Sequence, residues 1–506
     1  MKEKSLGRKV ASEAITSFGG MSAGSVFRYL FSILMARWLG PQMLGLYSLG
    51  NALTRIGEIF AIMGLDNGVL RFVSREEKNN INAKNSIYSS LKMGLVSSFL
   101  FAVILYFSAE WIVLSFLKEE PFLINIIKFY AFTLPFTVTT LIASFATQGF
   151  KVLKHKIFVN HIVNPSVLLF SMIIFYLVFG AKVAILIPTL LSAIIGMISI
   201  LFFLNKFIKL DFKEIISTPF NSEILKFSIP LMFVSAIGII MHWIDILMLG
   251  IFADAISVGM YHPIERTSGL IRMILFAFAG IFAPLFSQYF YENNLDKMKE
   301  IYQLSTKWIL AAALPLFIFL ILFSSQMLML FGSEFDNALA LKILATGIMI
   351  QAFFGLGSSS LTMSGFSNIN LLNVLVALFV NIAMNIVLIP KYGIIGAASA
   401  TTIALFLISF LRFFENYYIL RLNVFSSRLF KPLIAGFLTA GSAIIFERNI
   451  LILIDYSSSI LNLMLYLLSA IFFVFVGYFS FYMLLRIDKE DKDMIDSLKQ
   501  KLFHQS

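Results

Sequence analysis

Residues 35–75 read MARWLGPQMLGLYSLGNALTRIGEIFAIMGLDNGVLRFVSR. Two apolar runs meet here across residues 40–43, a connection so short that the flanking segments must turn back as a tight antiparallel hairpin. Each run is about as long as a bilayer is thick, yet Arg28 falls near the middle of the first and Arg55 near the middle of the second. Arg272 is placed alike in a later run. An arginine at the bilayer centre costs at least about 3 kcal/mol, so a cluster persists only where water or an anion receives the charge. The pattern points to transport of something negatively charged.

Composition agrees. Of 506 residues, 59% are hydrophobic and 13% charged, and the mean hydropathy is +0.88, which a water-soluble globule would not tolerate. Cysteine is absent, which removes disulfides and thiolate metal sites, and five scattered histidines do not suggest a metal centre. A net charge of +11 would suggest nucleic acid in a soluble domain. In a membrane protein it reflects basic cytoplasmic loops, and no nucleic-acid partner is expected. The N-terminus, MKEKSLGRKV, enters an apolar stretch without the cleavage site of a removable signal peptide, so the first span is expected to stay.

Runs of about twenty apolar residues lie near 15–39, 44–64, 86–117, 122–148, 157–180, 183–205, 227–252 and 258–288. Six more lie near 306–331, 336–363, 369–390, 393–414, 430–447 and 459–485. This predicts an all-α integral membrane protein of fourteen transmembrane helices, with further tight hairpins at 181–182 and 391–392. With the N-terminus inside, the cytoplasmic segments carry 26 of the 39 Lys and Arg, and the outer loops only Lys118, Lys182, Lys391 and Arg448. That asymmetry places both termini in the cytoplasm. No loop is long enough for a separate catalytic or nucleotide-binding domain, so no enzyme is expected and ATP is not the direct energy source.

Shifting the sequence by 214 places Gly45 and Tyr47 over Gly259 and Tyr261, and a shift of 216 places Gly149 and Phe150 over Gly365 and Phe366. Spans one to six and seven to twelve thus read as two copies of one unit, related by an axis along the membrane normal. The expected organisation is an N-terminal lobe at 1–205, a cytoplasmic linker at 206–226, a C-terminal lobe at 227–420, and two further spans with a cytoplasmic tail at 421–506. In the first span, the GGMSAG run at 19–24 contains a GxxxG spacing that lets helices approach closely.

The stretch at 35–75 resembles the opening of the polysaccharide-biosynthesis flippases of the multidrug/oligosaccharidyl-lipid/polysaccharide exporter superfamily. Two later pieces resemble the same proteins: LKFSIPLMFVSAIGIIMHWIDILMLGIF at 225–252 and IPKYGIIGAASAT at 389–401. The resemblance implies two pseudo-symmetric six-helix lobes around a central cavity, two extra C-terminal helices and alternating access. It also implies a cargo of oligosaccharide on an isoprenoid diphosphate, flipped from the inner to the outer leaflet of the bacterial cytoplasmic membrane. Membrane lipids, and the glycan polymerase and glycosyltransferases of the same pathway, are the implied partners.

Under the repeat, Arg28 overlays His242 and Glu58 overlays Arg272, so polar residues of both halves converge at similar depth. Arg28, Arg55, Arg266 and Arg272 are the expected diphosphate site, because guanidinium forks suit phosphate oxygens better than an ammonium does. The alternative is that each is merely paired: Arg55 with Glu58, and Arg266 or Arg272 with Glu265 or Asp245. Asp245 and Glu265 are either such counter-ions or carriers of a coupling proton or sodium ion, with His242 as a titrating neighbour. No other cofactor is expected. Arg37, Lys92, Lys128, Lys342 and Arg412 lie near span ends and read as interfacial anchors; Lys92 and Lys128 are second-tier candidates for sugar or phosphate contact. An ion-coupled exporter of drugs or organic cations is the rival within the superfamily, but it calls for a carboxylate-rich cavity. A membrane glycosyltransferase calls for a long acidic external loop. The diphosphate handle is common to many glycans, so the glycan itself is not legible.

Overall fold

The computed structural model describes residues 2–76, 80–117, 121–485, 488, 490 and 491. Lys118, Glu119 and Glu120 of the expected outer loop, and the tail from residue 492, lie outside the described residues. Among the described residues every regular element is helical. Lipid offers no partner to a backbone N–H or C=O, so each apolar run must satisfy its own ladder as a helix.

Among the described residues nine helices are long and apolar enough to cross a membrane. The number becomes eleven if Pro121–Ala131 with Leu134–Gly149 and Ala338–Phe353 with Gly357–Met363, each bent by 43°, are taken as single broken spans. Two elements are far longer than a bilayer. The Lys2–Ile62 helix has 61 residues, about 90 Å of contour, and Ser367–Ile419 has 53. Each kinks at a glycine in the left-handed region, Gly40 (φ 77°) and Gly393 (φ 53°), which a residue with a Cβ enters only with strain. These are two of the expected hairpin connections. Any spans between eleven and fourteen would have to come from the arms of these two kinked helices.

The chain divides into two compact units. The first comprises the chain through Arg266 together with Leu378–Ala400. Its core includes Leu65, Val69, Tyr88, Val138, Ile142 and Ile224. The GxxxG glycines serve close packing, since a Cβ on Gly20 would strike the Ile157 side chain and one on Gly24 the His161 carbonyl. The segment 206–226 is docked within this unit: the Tyr88 hydroxyl donates to the Lys209 carbonyl (2.7 Å), and Lys92 Nζ donates to the carbonyls of Ile216 (2.6 Å) and Thr218 (2.9 Å).

One contact in this unit bears on the internal repeat. A Cβ on Gly45 would collide with the Ala255 carbonyl and approach the Gly259 nitrogen; a Cβ on Gly259 would collide with the Pro41 carbonyl and approach the Gly45 nitrogen. Pro41 and Ala255 are themselves 214 residues apart. Residue i meets the equivalent of j while j meets the equivalent of i, the signature of a two-fold contact.

The second unit comprises Thr267–Ala377 and the chain from Thr401 on. Leu295–Leu322, Phe430–Asn449 and Ile460–Leu484 pack together in it. Lys307, with no exposed side-chain surface, is held by Asp488 Oδ2 (2.5 Å) and Asp491 Oδ1 (2.9 Å). Asp491 also accepts from Lys431 Nζ (3.0 Å), Trp308 Nε1 (3.1 Å) and the Tyr482 hydroxyl (3.1 Å).

Candidate functional site

The first unit encloses a cavity of about 300 Å³. Arg28 stands twelve residues before the Gly40 kink and Arg55 fifteen after it, about 18 and 22 Å along their arms at 1.5 Å per residue. The kink therefore brings the two guanidinium groups to similar depth, and both line the cavity with Glu58.

Their partners differ. Arg55 Nη1 donates to Glu58 Oε2 at 2.6 Å, while the Arg55 side chain keeps 48% of its surface open. Glu58 is buried, and its second oxygen, Oε1, has no hydrogen-bond partner. The close contact of Arg28 is a ring nitrogen, His161 Nδ1, at 3.4 Å. His161 sits in a π-helical turn, Phe158–Val163, just before Asn164-Pro165. Such a widened turn re-aims side chains and frequents functional sites. Arg266 and Arg55 both lie within electrostatic reach of Arg28. Arg266 Nε stands 3.8 Å from Glu265 Oε2, too far for a hydrogen bond, and this buried nitrogen has no hydrogen-bond partner. Among the described residues, these three guanidinium groups share two carboxylates, Glu58 and Glu265, and guanidinium outnumbers carboxylate there.

The remaining expected residues are distributed as follows. Arg272 is half-buried, six residues beyond Arg266 on the Ala255–Tyr291 helix, and belongs to the second unit. His242 Nδ1 lies 3.8 Å from Glu265 Oε1, so His242 and Arg266 flank one carboxylate. Asp245 is buried: Oδ2 accepts from the Tyr261 hydroxyl (3.1 Å), and Oδ1 accepts from the side-chain amides of Asn381 (3.2 Å) and Asn385 (2.9 Å). Lys128 lies over the Tyr106 ring (5.4 Å), and Lys92 over the Phe220 ring (4.8 Å). Neither lines the cavity. Among the described residues no three His, Asp or Glu gather as a metal site.

Other polar residues escaped the sequence reading. His262 is 2% exposed, with Nε2 3.1 Å from Ser32 Oγ and Nδ1 3.0 Å from Ser48 Oγ. Asn160 and Asn164 line the cavity, as do Thr133, Thr137 and Thr140. Asn381 and Asn385 face Asp245. The missed signal was a spacing of three or four between polar residues in apolar helices, which stacks them on one face.

Comparison with known proteins places this geometry. The profile of a family described as polysaccharide biosynthesis protein matches residues 34–340. The chain belongs to that family. A membrane protein of Methanocaldococcus jannaschii, MJ1375, is 27% identical over 397 residues, 74% of this chain and 90% of its own length. A Haloferax volcanii protein named a probable low-salt glycan biosynthesis flippase is 27% identical over 169 residues, 33% of this chain and 36% of that protein. The fold resembles that of the lipid II flippase MurJ in an inward closed conformation, with a TM-score of 0.73 and 14% identity over 96% of this chain and all of the other. An inward-facing multidrug resistance MATE transporter gives 0.65 and 17% identity over 81% and 98%. This member of the polysaccharide biosynthesis family has several helices long and apolar enough to span a membrane and shares its fold with these proteins; the ones named for a function are named as a probable flippase, a flippase and a multidrug transporter. Both of these sequence relatives are archaeal, so they do not single out a bacterial membrane.

Proposed function

We propose that the protein flips an isoprenoid-diphosphate-linked oligosaccharide from the inner to the outer leaflet of the cytoplasmic membrane by alternating access, for cell-surface polysaccharide assembly. In this reading the chain crosses the membrane fourteen times in two six-helix lobes plus two C-terminal helices, with both termini in the cytoplasm. The observation that supports it is the imbalance at the cavity: Arg28 contacts a histidine rather than a carboxylate, and Arg55 keeps an open face beyond its bond to Glu58. A diphosphate supplies the missing negative charge and accepts bidentate bonds from both forks. Arg266 joins through its reach to Arg28, and Arg272 is assigned to the same task on sequence grounds. Asp245, in its cage of two amides and a phenol, is the proposed seat of a coupling proton or sodium ion; Glu265, between Arg266 and His242, is the counter-ion.

An organic-cation exporter on the same fold would meet repulsion from the surplus guanidinium charge. Proteoliposomes carrying a fluorescent isoprenoid-diphosphate oligosaccharide test the choice. The protein should expose the sugar on the opposite leaflet, and Arg28→Ala with Arg55→Ala should stop it at normal insertion levels. Export of ethidium without lipid flipping, or full flipping by the double variant, overturns the reading. Collapse of a proton or sodium gradient should slow flipping by the wild type and not by Asp245→Asn; indifference of the wild type to both removes the coupling role.

A further inference from the structure

Beyond its arginines, the cavity is walled by hydroxyls, and their hydrogen bonds give the wall a definite polarity. Thr54 Oγ1 donates to the Gly50 carbonyl (2.7 Å), Thr133 to Tyr130 (2.6 Å), Thr137 to Leu134 (3.2 Å) and Thr140 to Phe136 (2.7 Å). Thr189 is shared between the Ile185 carbonyl and the Tyr130 hydroxyl (3.3 Å each), and Ser192 donates to Asn164 (2.9 Å). A hydroxyl has one proton and two lone pairs. With the protons of Thr54, Thr133, Thr137, Thr140 and Ser192 committed to backbone carbonyls, what these five side chains offer the cavity is acceptor oxygen. The Oε1 of Glu58 and the Oδ1 of Asn164 are further acceptors on lining residues, buried and without partners.

These hydroxyls have no proton to give a diphosphate, whose ionised oxygens only accept and are left to Arg28 and Arg55, and they suit a group rich in O–H and N–H donors. A bare cation is disfavoured by Arg28 and Arg55 in the same cavity. A sugar ring meets both demands, because its hydroxyls donate to the threonines while its ring and acetyl oxygens accept from the guanidinium groups.

We infer that the threonine-lined interior of this cavity is a subsite for the sugar ring bonded directly to the diphosphate, with Thr137 and Thr140 as specificity-determining contacts. The inference rests on the diphosphate reading above, since Arg28 and Arg55 then hold the phosphates in the same cavity. A volume of about 300 Å³ is at the small end for ligand pockets, so it takes the first ring and leaves the distal glycan outside. Recognition is therefore confined to the first sugar.

The probes are an isoprenoid diphosphate and the same lipid carrying one N-acetylglucosamine, bound to the full-length protein in nanodiscs. The wild type should bind the glycosylated lipid about tenfold more tightly. Thr137→Val with Thr140→Val, which preserves shape and removes the acceptors, should abolish that preference and leave the affinity for the bare lipid unchanged. Equal binding of both lipids by the wild type, or an intact preference in the double variant, overturns the subsite. If the double variant fails to fold, each single variant carries the same test with about half the effect on a logarithmic scale. Arg28→Ala separates the two claims: it should weaken both lipids alike, and undiminished binding of the bare lipid would sink the diphosphate site while the sugar preference is still read independently.

Discussion

Lys307 and Arg28 are both cations sequestered in apolar helices, and the fold treats them in opposite ways. Lys307 is closed off from solvent and enclosed by Asp488 and Asp491, with Lys431, Trp308 and Tyr482 saturating the remaining carboxylate oxygen valences. Arg28 opens onto a cavity beside a second arginine and contacts an imidazole nitrogen. A buried charge left without its partner is strongly destabilising, so a cation kept only for structure is expected to be neutralised by the chain itself, as Lys307 is. A transporter cannot neutralise its anion site that way, because the substrate would then have to displace the internal partner. On the function proposed above, the surplus charge around Arg28 is what separates a binding site from a clasp.

Breaking the cavity side should give the largest effect. Losing two charge-assisted forks from the bound diphosphate costs about 3 kcal/mol or more, so Arg28→Ala with Arg55→Ala should reduce flipping at least about 100-fold while the thermal midpoint stays near that of the wild type. The inverse pattern is expected for the clasp. Lys307→Ala leaves Asp488 and Asp491 to share Lys431 alone and should destabilise the protein by about 3 kcal/mol, with unchanged flipping per folded molecule. Loss of flipping without loss of stability in Lys307→Ala would erase the distinction.

A smaller effect sharpens it. Glu58 ties down one fork of Arg55, so Glu58→Gln removes the internal competitor and leaves the cavity more positive. Inorganic pyrophosphate should then bind several-fold more tightly, measured calorimetrically. Weaker binding would mean that Glu58 orients Arg55 rather than competing for it.

The two regions also differ in how far the sequence could reveal them. Charges in greasy runs are conspicuous, so Arg28 and Arg55 stood out, and the Gly45 and Gly259 pairing emerged from a simple shift. The hairpins at Gly40 and Gly393 were legible because too few residues separate the runs they join. The threonine wall was not legible: threonine is unremarkable in a membrane helix, and the direction of its hydroxyl proton depends on which backbone carbonyl is within reach. The Asp245 cage was half visible, since Asp245 was conspicuous whereas Asn381 and Asn385 lie about 140 residues away. The Lys307 clasp was hidden for a similar reason. Asp488 and Asp491 read as part of a solvated tail, and only packing returns them to a lysine some 180 residues earlier.

The smallest expected effect tests how tightly the clasp is closed. Burial alone would favour the protonated form of Asp491, but hydrogen bonds from Lys307, Trp308 and Lys431 outweigh it and hold the carboxyl at about 2, below the ordinary 3.8. The folded state therefore takes up this proton less readily than the unfolded chain. Stability from the carboxylate is fully present above about pH 5 and is lost as the pH falls through 4 toward 2. Thermal unfolding of wild type and Asp491→Asn, compared between pH 7 and pH 3, should show the midpoint difference shrinking with acid. A difference that stays constant across that range would mean the clasp works through shape and neutral hydrogen bonds, and Lys307 would then resemble Arg28 in lacking a true counter-charge.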